Sequence, residues 1–187
     1  MLRTPPADPP VPILETERLR LRALTLADFP AHCALWADPD VARYTSGKPN
    51  TAEESWGRMM RHAGQWSMLG FGFWLVEERS TGAFVGEVGL FDNQRDLIYP
   101  DGTTRPLDTP EIGWILSPAM HGRGYATEAV LACLAWAAGR FIASEVSCLI
   151  EPANAPSLNV AAKMGFMLRE TLTYREKPIL LLVRELA

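Results

Sequence analysis

Residues 121–127, with the sequence HGRGYAT, combine residue types and a spacing that could bind a phosphate group. Gly122 and Gly124 stand where a strand-like run gives way to a helix-like one. Glycines at such a turn let the backbone curl until successive N–H groups point inward, which forms an anion-binding nest. The start of the following helix adds unpaired N–H groups and the positive end of its dipole. The segment therefore predicts a pyrophosphate site, to which Arg123 and the Thr127 hydroxyl could add a charge and a donor.

The residues of this segment leave a second interpretation open. A two-glycine turn alone is more often a structural turn than a ligand site. The segment also lacks the lysine and the spacing of a nucleotide-binding P-loop, and it lacks the early position and the third glycine of a dinucleotide-binding fingerprint. The pattern thus departs from both of these phosphate-binding motifs.

The elements that must position the segment alternate between strand and helix patterns. Leucines alternate with arginines across residues 18–23, which predicts a half-buried strand. Thr25 and Thr51 each open a capping-box pattern and so predict two helices. In the second helix the residues predicted to face the core are Trp56, Met59, Met60, Ala63 and Trp66. Further strands are predicted at 71–78, 83–91, 111–116, 145–151, 167–174 and 179–184, and further helices at 126–141 and 156–164. This order favours a mixed α/β or α+β sheet with helices on both faces.

The segment at residues 92–110 is polar, rich in turn residues and long for a connection within a compact domain. Long connections of this kind are often functional. It could select a substrate, cover the site or be tolerated surface.

Length and composition suit one globular domain, since the chain has 187 residues, of which 48% are hydrophobic and 21% charged. We expect residues 1–12 to form a flexible proline-rich arm and residues 13–187 to form the domain. No apolar run reaches the roughly 18–20 residues that span a bilayer. The N-terminal stretch also lacks a signal-peptide pattern. We therefore expect a cytoplasmic protein that does not bind membranes.

Charge and cysteine content exclude other classes. The formal net charge is −4, whereas a general nucleic-acid binder is usually basic, so nucleic acid is not an expected partner. Cys33, Cys133 and Cys148 are odd in number and widely spaced, which indicates neither a disulfide framework nor a zinc site. No metal is expected.

Several short motifs follow one another along the chain: ETERLRLR at 15–22, EIGW at 111–114, GYATEA at 124–129, NAPS at 154–157 and KMGF at 163–166. On these motifs the chain, over about residues 13–185, resembles the GNAT superfamily of acyl-CoA-dependent N-acetyltransferases. It is most similar to the RimJ/RimL-like branch, the ribosomal-protein-alanine acetyltransferases. The coenzyme motif of the family is Gln/Arg-x-x-Gly-x-Gly/Ala, which residues 121–126 match except at His121.

The resemblance implies a GNAT-like fold: a mixed, mostly antiparallel seven-stranded sheet, helices on both faces, and splayed fourth and fifth strands. It implies acetyl-CoA as co-substrate, with the pantetheine arm paired to the fourth strand. A backbone N–H near Leu116 would then stabilise the oxyanion. The residues implied in coenzyme binding are Trp114, Ile115, Leu116, His121, Gly122, Arg123, Gly124, Tyr125, Ala126, Thr127, Asn154, Ser157 and Lys163.

Two residues of the NAPS motif carry further implied roles. Ser157 matches the serine that this branch is thought to use to protonate the departing thiolate, although it could be only an early helix residue. Asn154 matches the asparagine that contacts the coenzyme or a nearby water, although it could be only a helix cap. Lys163 could reach a coenzyme phosphate or be a solvated lysine.

The first candidate for the general base is Glu111, because it begins the strand that should line the acyl site. Glu87 and Asp92 come next, and each could be a purely structural carboxylate. An α-amino group has a pKa of about 8 and a lysine amine one of about 10.4, so an N-terminal acceptor needs only a weak base.

The predicted acceptor pocket involves Arg43, Tyr44, Trp66, Glu87 and Asp92. The implied reaction is transfer of an acetyl group from acetyl-CoA to a primary amine, on a protein or peptide N-terminus or a small amine. Direct attack in a ternary complex is expected, since no residue resembles a required covalent nucleophile. The alternative is a non-catalytic CoA-binding regulatory module. An edge strand near the C-terminus could support a homodimer.

Overall fold

Seven strands of four or more residues form the centre of one β-sheet in the computed structural model, which describes residues 11–186. Three two-residue strands extend the sheet to ten strands. Residues 1–10 of the predicted arm lie outside the described range. The strands are β1 Leu14–Glu15, β2 Leu19–Arg22, β3 Phe73–Glu78, β4 Phe84–Phe91, β5 Leu97–Ile98, β6 Thr104–Arg105, β7 Glu111–Leu116, β8 Glu145–Ile150, β9 Met167–Tyr174 and β10 Lys177–Glu185.

The sheet is mixed and mostly antiparallel, as predicted. Its order is β1-β2-β3-β4-β7-β8-β10-β9-β5-β6. All neighbouring pairs are antiparallel except β7 with β8, which are parallel.

The parallel pair splays apart, which confirms the expectation for the fourth and fifth long strands. β7 and β8 share one register pair, Glu111 with Ser147, and the Ser147 N–H donates to the Pro110 carbonyl at 2.9 Å. Both strands start from this junction and run the same way, so their C-terminal ends at Leu116 and Ile150 diverge. A V-shaped cleft therefore opens between them.

Within residues 11–186, five α-helices flank the sheet: α1 Phe29–Ala37, α2 Pro39–Ala42, α3 Ala52–Leu69, α4 Tyr125–Ala137 and α5 Ala155–Lys163. The Thr51 side chain and the Glu54 side chain cap the start of α3 reciprocally, and Gly70 ends it with φ +72°. α4 ends four residues before the predicted boundary at 141, because Ala138 has ψ 127° and Gly139 is left-handed with φ +70°.

Alternating residues of β7 contact opposite layers. Ile112 and Leu116 pack in the main core with Val130 and Cys133 of α4. Ile115 faces the other way, against a cluster on α1 and α2 that contains Trp36. Helices thus cover both faces of the sheet. The cleft between β7 and β8 lies between these two packed layers.

The 92–110 segment is a folded extension of the sheet. Its strands β5 and β6 form a small hairpin, and Ile98 pairs with Thr173 of β9. Leu97 is fully buried in a second core cluster with Leu172 and Leu181. Burial of these apolar residues holds the segment against the β9–β10 end of the sheet.

Candidate active site

Two backbone N–H groups of β7 point into the cleft. The Ser117 N–H donates to the Val85 carbonyl of β4 at 2.9 Å, and Leu116 pairs with Gly86 in the register of these strands. Hydrogen-bonded and non-bonded pairs alternate along an antiparallel ladder, so the N–H groups of Leu116 and Trp114 are directed away from β4. On that side β8 has already diverged. Both groups therefore face open space between the strands.

The turn at residues 121–127 has the geometry of an anion nest. Gly122 and Gly124 have φ of +74° and +78°, a region that side chains rarely adopt. Within residues 11–186, the N–H groups of residues 122–127 donate no hydrogen bond, and the first one in the helix runs from Glu128 N–H to Gly124 O at 3.1 Å. A run of free donors at a helix start suits a pyrophosphate.

The strand β2 region holds this turn in place. The Arg18 guanidinium donates to the Arg123 carbonyl at 2.9 Å and pairs with the Glu128 carboxylate at 2.6 Å. The Thr16 hydroxyl donates to the same carboxylate at 2.5 Å. Burial raises the pKa of Glu128, but the hydrogen bonds from Thr16 and Arg18 outweigh it and lower that pKa. The ETERLR motif thus positions the turn.

A groove of about 460 Å³ runs beside the nest. Lys163 at the end of α5 and Thr127 in the first turn of α4 both line this groove. The lining residues are Thr16, Glu17, Arg18, Gly124, Thr127, Glu128, Leu131 and Lys163.

His121 contacts the protein backbone. Its Nε2 lies 3.0 Å from the Leu116 carbonyl oxygen, so the imidazole ties the turn to the end of β7. The Tyr125 hydroxyl donates to Glu78, and the exposed Arg123 lies 3.9 Å from the same carboxylate. These contacts brace the turn from the side of β3.

The start of α5 separates the roles of Asn154 and Ser157. Asn154 Oδ1 accepts a hydrogen bond from the Ser157 N–H at 3.2 Å, so Asn154 caps the helix. The Ser157 hydroxyl forms no hydrogen bond within the described part of the chain. It is free to act as a donor.

The carboxylates of Glu87 and Glu111 lie on the face of the sheet that α1 and α3 cover. Glu87 of β4 stands opposite Ile115, and Glu111 stands two alternate positions further along the same face. Glu111 is buried and forms an ion pair with Arg95. Because Arg95 comes from the 92–110 segment, that segment reaches the start of β7.

Glu87 is fully buried among polar side chains. His32 Nδ1 hydrogen-bonds one carboxylate oxygen, and Trp36 Nε1 donates to the other at 3.2 Å. Burial raises the pKa of Glu87, but the His32 hydrogen bond and the charge of the histidines lower it overall. His62 Nδ1 lies 3.6 Å from Glu87, and burial lowers the pKa of His62 to about 4.

Comparison with known proteins decides the family. Residues 18–167 match the model of the acetyltransferase (GNAT) domain. The chain belongs to the GNAT acetyltransferase family.

Individual relatives agree with this assignment. YkkB of Bacillus subtilis (strain 168), which bears no functional name, is 30% identical over 172 residues that cover 89% of this chain and 91% of that protein. An acetyltransferase from Agrobacterium tumefaciens str. C58 has a TM-score of 0.78 at 29% identity, covering 93% of this chain and 94% of that one. A RimL ribosomal-protein α-N-acetyltransferase, solved with coenzyme A, has a TM-score of 0.72 at 16% identity, covering 93% and 98%.

The residues predicted for the acceptor pocket have varied surroundings in the structure. Trp66 is buried, contacts Trp74 and Trp136, and donates from Nε1 to the Phe73 carbonyl at 2.8 Å. It packs in the core, where a solvent-borne acceptor would not reach it. Arg43 is exposed and pairs with Asp40 at 2.9 Å.

Two further predicted residues have local contacts. Tyr44 lies beside the Arg43 guanidinium, 6.0 Å from ring centroid to Cζ. Asp92 accepts hydrogen bonds from the Gln94 backbone and side chain, while its own carbonyl contacts Gln65 at 3.4 Å. Of the predicted acceptor residues, Glu87 and Asp92 lie on or directly after β4.

The polar lining of α3 was not predicted. The buried side of this helix comprises Ser55, Met59, His62, Gln65 and Trp66, whereas Trp56 and Met60 are 44% and 39% exposed. His32 and His62 were missed together with Arg58 and Arg95. On α3 the signal was a set of polar residues at helical spacing, which resembles an exposed face until its partners on β4 are known.

No helix in the described range is long and apolar enough to cross a membrane. The same range also contains no group of three or more histidine, cysteine, aspartate or glutamate side chains placed to hold a metal ion.

Proposed function

We propose that the protein transfers an acetyl group from acetyl-CoA to the primary amine of an acceptor by direct attack in a ternary complex. One observation carries the proposal: the N–H groups of Trp114 and Leu116 line a cleft that opens towards the free N–H groups of residues 122–127. A ligand with a pyrophosphate at one end and an acyl group at the other fits this arrangement.

The residues present suit the coenzyme. The nest at 122–127 supplies backbone donors for the pyrophosphate, and the positive end of α4 favours its charge. Lys163 and Arg18 in the adjoining groove add positive charge. Ile115 and the rest of the 114–116 stretch would lie along the pantetheine arm.

The cleft donors stabilise the charge that develops on the carbonyl oxygen. As the amine nitrogen attacks, a C–N bond forms and the oxygen gains negative charge. An N–H held in place beforehand costs no reorganisation, and one such donor contributes about 3–4 kcal/mol in other acyl transfers. The Trp114 N–H lies nearer the closed end of the cleft than the Leu116 N–H, and each is a candidate donor to the oxyanion.

Collapse of the intermediate breaks the C–S bond and leaves a thiolate that needs a proton. The Ser157 hydroxyl, which has no protein partner in the described residues, is the proposed donor, and it regains its proton from a solvent water. The proton that the amine loses goes to Glu111, directly or through water. The ion pair with Arg95 holds the Glu111 side chain at the start of β7. Glu87 is the second candidate.

The acceptor is a protein or peptide N-terminus or a small amine. Resemblance to the RimJ/RimL-like branch supports the N-terminal acceptor, and an α-amine is the easier nucleophile because more of it is unprotonated at neutral pH.

The decisive experiment measures release of free thiol from acetyl-CoA with a panel of amines. The panel contains peptides that begin with alanine or serine, polyamines, aminoglycosides and lysine. Turnover with peptides alone supports N-terminal acetylation, and turnover with small amines alone supports a metabolite acetylase. Acetyl-CoA at about 100 times its Kd should stabilise the fold by about 2.7 kcal/mol. Stabilisation without turnover for any amine would favour a CoA-binding regulatory protein.

A further inference from the structure

Arg58 of α3 is half-buried and has no carboxylate partner. Its Cζ lies 3.6 Å from the centroid of the Trp36 ring, and its Nε atom is buried without a hydrogen-bond partner. No carboxylate within residues 11–186 lies within ion-pair distance of it. A buried donor normally has a hydrogen-bond partner, so the Arg58 Nε is an exception that a ligand could satisfy.

The nearest inner carboxylates are already engaged. Glu87 is bonded to His32 and Trp36, and Glu111 is paired with Arg95. Burial is the main cause that lowers the pKa of Arg58 to about 10, and the positive charges of neighbouring arginines lower it further, against the opposing charge of Glu87. Neither Glu87 nor Glu111 is therefore free to pair with Arg58.

Four arginines from three elements form what we call the arginine cluster: Arg58, Arg61, Arg95 and Arg175. Arg95 and Arg175 both approach the ring of Tyr174, with Cζ 5.6 and 5.1 Å from its centroid. Arg61 lies one turn after Arg58 on α3, and Gln65, one turn further, contacts Asp92 and Asn93 of the 92–110 segment at 3.4 and 3.3 Å. The folded 92–110 segment and the β9–β10 turn therefore bring guanidinium groups towards α3.

The cluster adjoins the proposed reaction centre. Arg95 is paired with Glu111 at the start of β7, and Glu87, which acts electrostatically on Arg58, stands opposite Ile115 of the same strand. The N–H groups of Trp114 and Leu116 project from this strand into the cleft. An acceptor whose amine reaches the cleft from the α3 side would pass the guanidinium groups.

We propose, on the basis of the proposed function, that the arginine cluster binds a carboxylate of the acceptor. The preferred substrates are then amines that carry a carboxylate group, and polycationic amines are disfavoured. The planar fork of a guanidinium matches a carboxylate with two parallel hydrogen bonds. The carboxylate could belong to a free amino acid or to an acidic side chain close to a peptide N-terminus.

The test uses acceptor pairs that differ in the carboxylate. One pair is free alanine and alaninamide, and the other is a peptide beginning Ser-Asp-Glu and its Ser-Asn-Gln counterpart, with spermidine as the polycation. We expect kcat/KM for thiol release to be about tenfold or more higher for the carboxylate member. A preference in the alanine pair alone assigns the site to an α-carboxylate, and one in the peptide pair alone assigns it to side chains.

Variants connect the preference to the cluster. Arg58→Gln should reduce the preference about tenfold or more while leaving acetyl-CoA affinity unchanged. Arg175→Gln, on an exposed turn, tests the same site if the first variant does not fold. Arg140→Gln, in the exposed turn after α4, removes one positive charge elsewhere and should keep the wild-type preference.

A binding measurement separates this inference from the proposed function. The same pairs are titrated into protein saturated with CoA, in which no acetyl transfer can occur. Tighter binding of the carboxylate members, lost in Arg58→Gln, supports the inference even without turnover. Equal binding and equal turnover within each pair, or a preference that survives in both cluster variants, would overturn it. Failure of the proposed function would instead show as no acetyl-CoA binding and no thiol release with any amine.

Discussion

Arg18, which directly precedes β2, donates a hydrogen bond from its guanidinium to the carbonyl of Arg123 in the glycine turn, at 2.9 Å. The two residues are far apart in the chain, yet the contact fixes the backbone of the nest from outside. The same guanidinium pairs with Glu128 in the first turn of α4. The nest is therefore held by its neighbours on β2 as well as by its own glycines.

Arg18→Ala should weaken acetyl-CoA binding about tenfold, because the turn loses its external brace and the groove loses a positive charge. Stability should change by less than about 1 kcal/mol, since the side chain is 44% exposed. Isothermal titration and chemical unfolding measure the two effects. Arg169→Ala is the control, because Arg169 is 42% exposed and also forms a 2.6 Å ion pair, far along the sheet on β9. Equal coenzyme affinities for both variants would contradict the bracing role.

Gly124→Val should abolish acetyl-CoA binding, because a β-branched residue disfavours φ of +78° and crowds the nest. The matched control is Gly139→Val, where φ is +70° in the turn after α4 and no heavy atom lies within 4 Å of an added Cβ. Both variants should lose about 1–2 kcal/mol of stability from the left-handed conformation. Only the Gly124 variant should lose ligand-induced stabilisation in thermal unfolding. A folded Gly124→Val protein with normal affinity would rule out the nest.

Ser157→Ala should lower kcat about a hundredfold or more if its hydroxyl is the general acid. Its effect on stability should be small, because the helix cap uses the Ser157 backbone N–H and the Asn154 side chain. Asn154→Ala should behave in the opposite way and cost about 1 kcal/mol of stability through loss of the cap. Steady-state kinetics and denaturant titration of both variants test this division of roles. Full activity in Ser157→Ala would leave protonation to water.

Burial lowers the pKa of His62 to about 4 in the folded protein, compared with about 6.5 in an unfolded chain. Below pH 6.5 the unfolded state therefore binds a proton that the folded state does not. The stability contributed by the neutral histidine is complete above about pH 6.5. It is lost as the pH falls towards 4, at about 1.4 kcal/mol per pH unit.

His62→Gln should flatten this slope between pH 6.5 and 4, whatever its effect on absolute stability. Unfolding by urea at several pH values measures it. Gln65→Met is the control, because Gln65 lies on the same buried side of α3 and does not titrate, so its variant should keep the wild-type slope. An unchanged slope in His62→Gln would show that another group titrates.

Much of the fold could be predicted from local patterns. Capping boxes at Thr25 and Thr51, alternation in 18–23 and the glycines at 122 and 124 depend on residues close together in the chain, so their conformations follow from local sterics and hydrogen bonding. The seven long strands and the position of the nest were predicted for this reason. The splay of β7 from β8 came from the family resemblance, and the register pair Glu111–Ser147 confirms it.

What only the tertiary structure decided is which polar groups are buried together. The apolar residues of α3 predicted an inner face that is one position away from the observed one. Ser55, His62 and Gln65 are as polar as surface residues, and only the tertiary contacts with Glu87 and Asp92 explain why this side of the helix is buried. The pairing of Glu111 with Arg95 and the convergence of Arg58, Arg95 and Arg175 join separate elements. Charge pairing acts through space, so the sequence by itself determined the glycine turn and the strands, whereas folding decided which charged side chains meet on the face of the sheet that α1 and α3 cover.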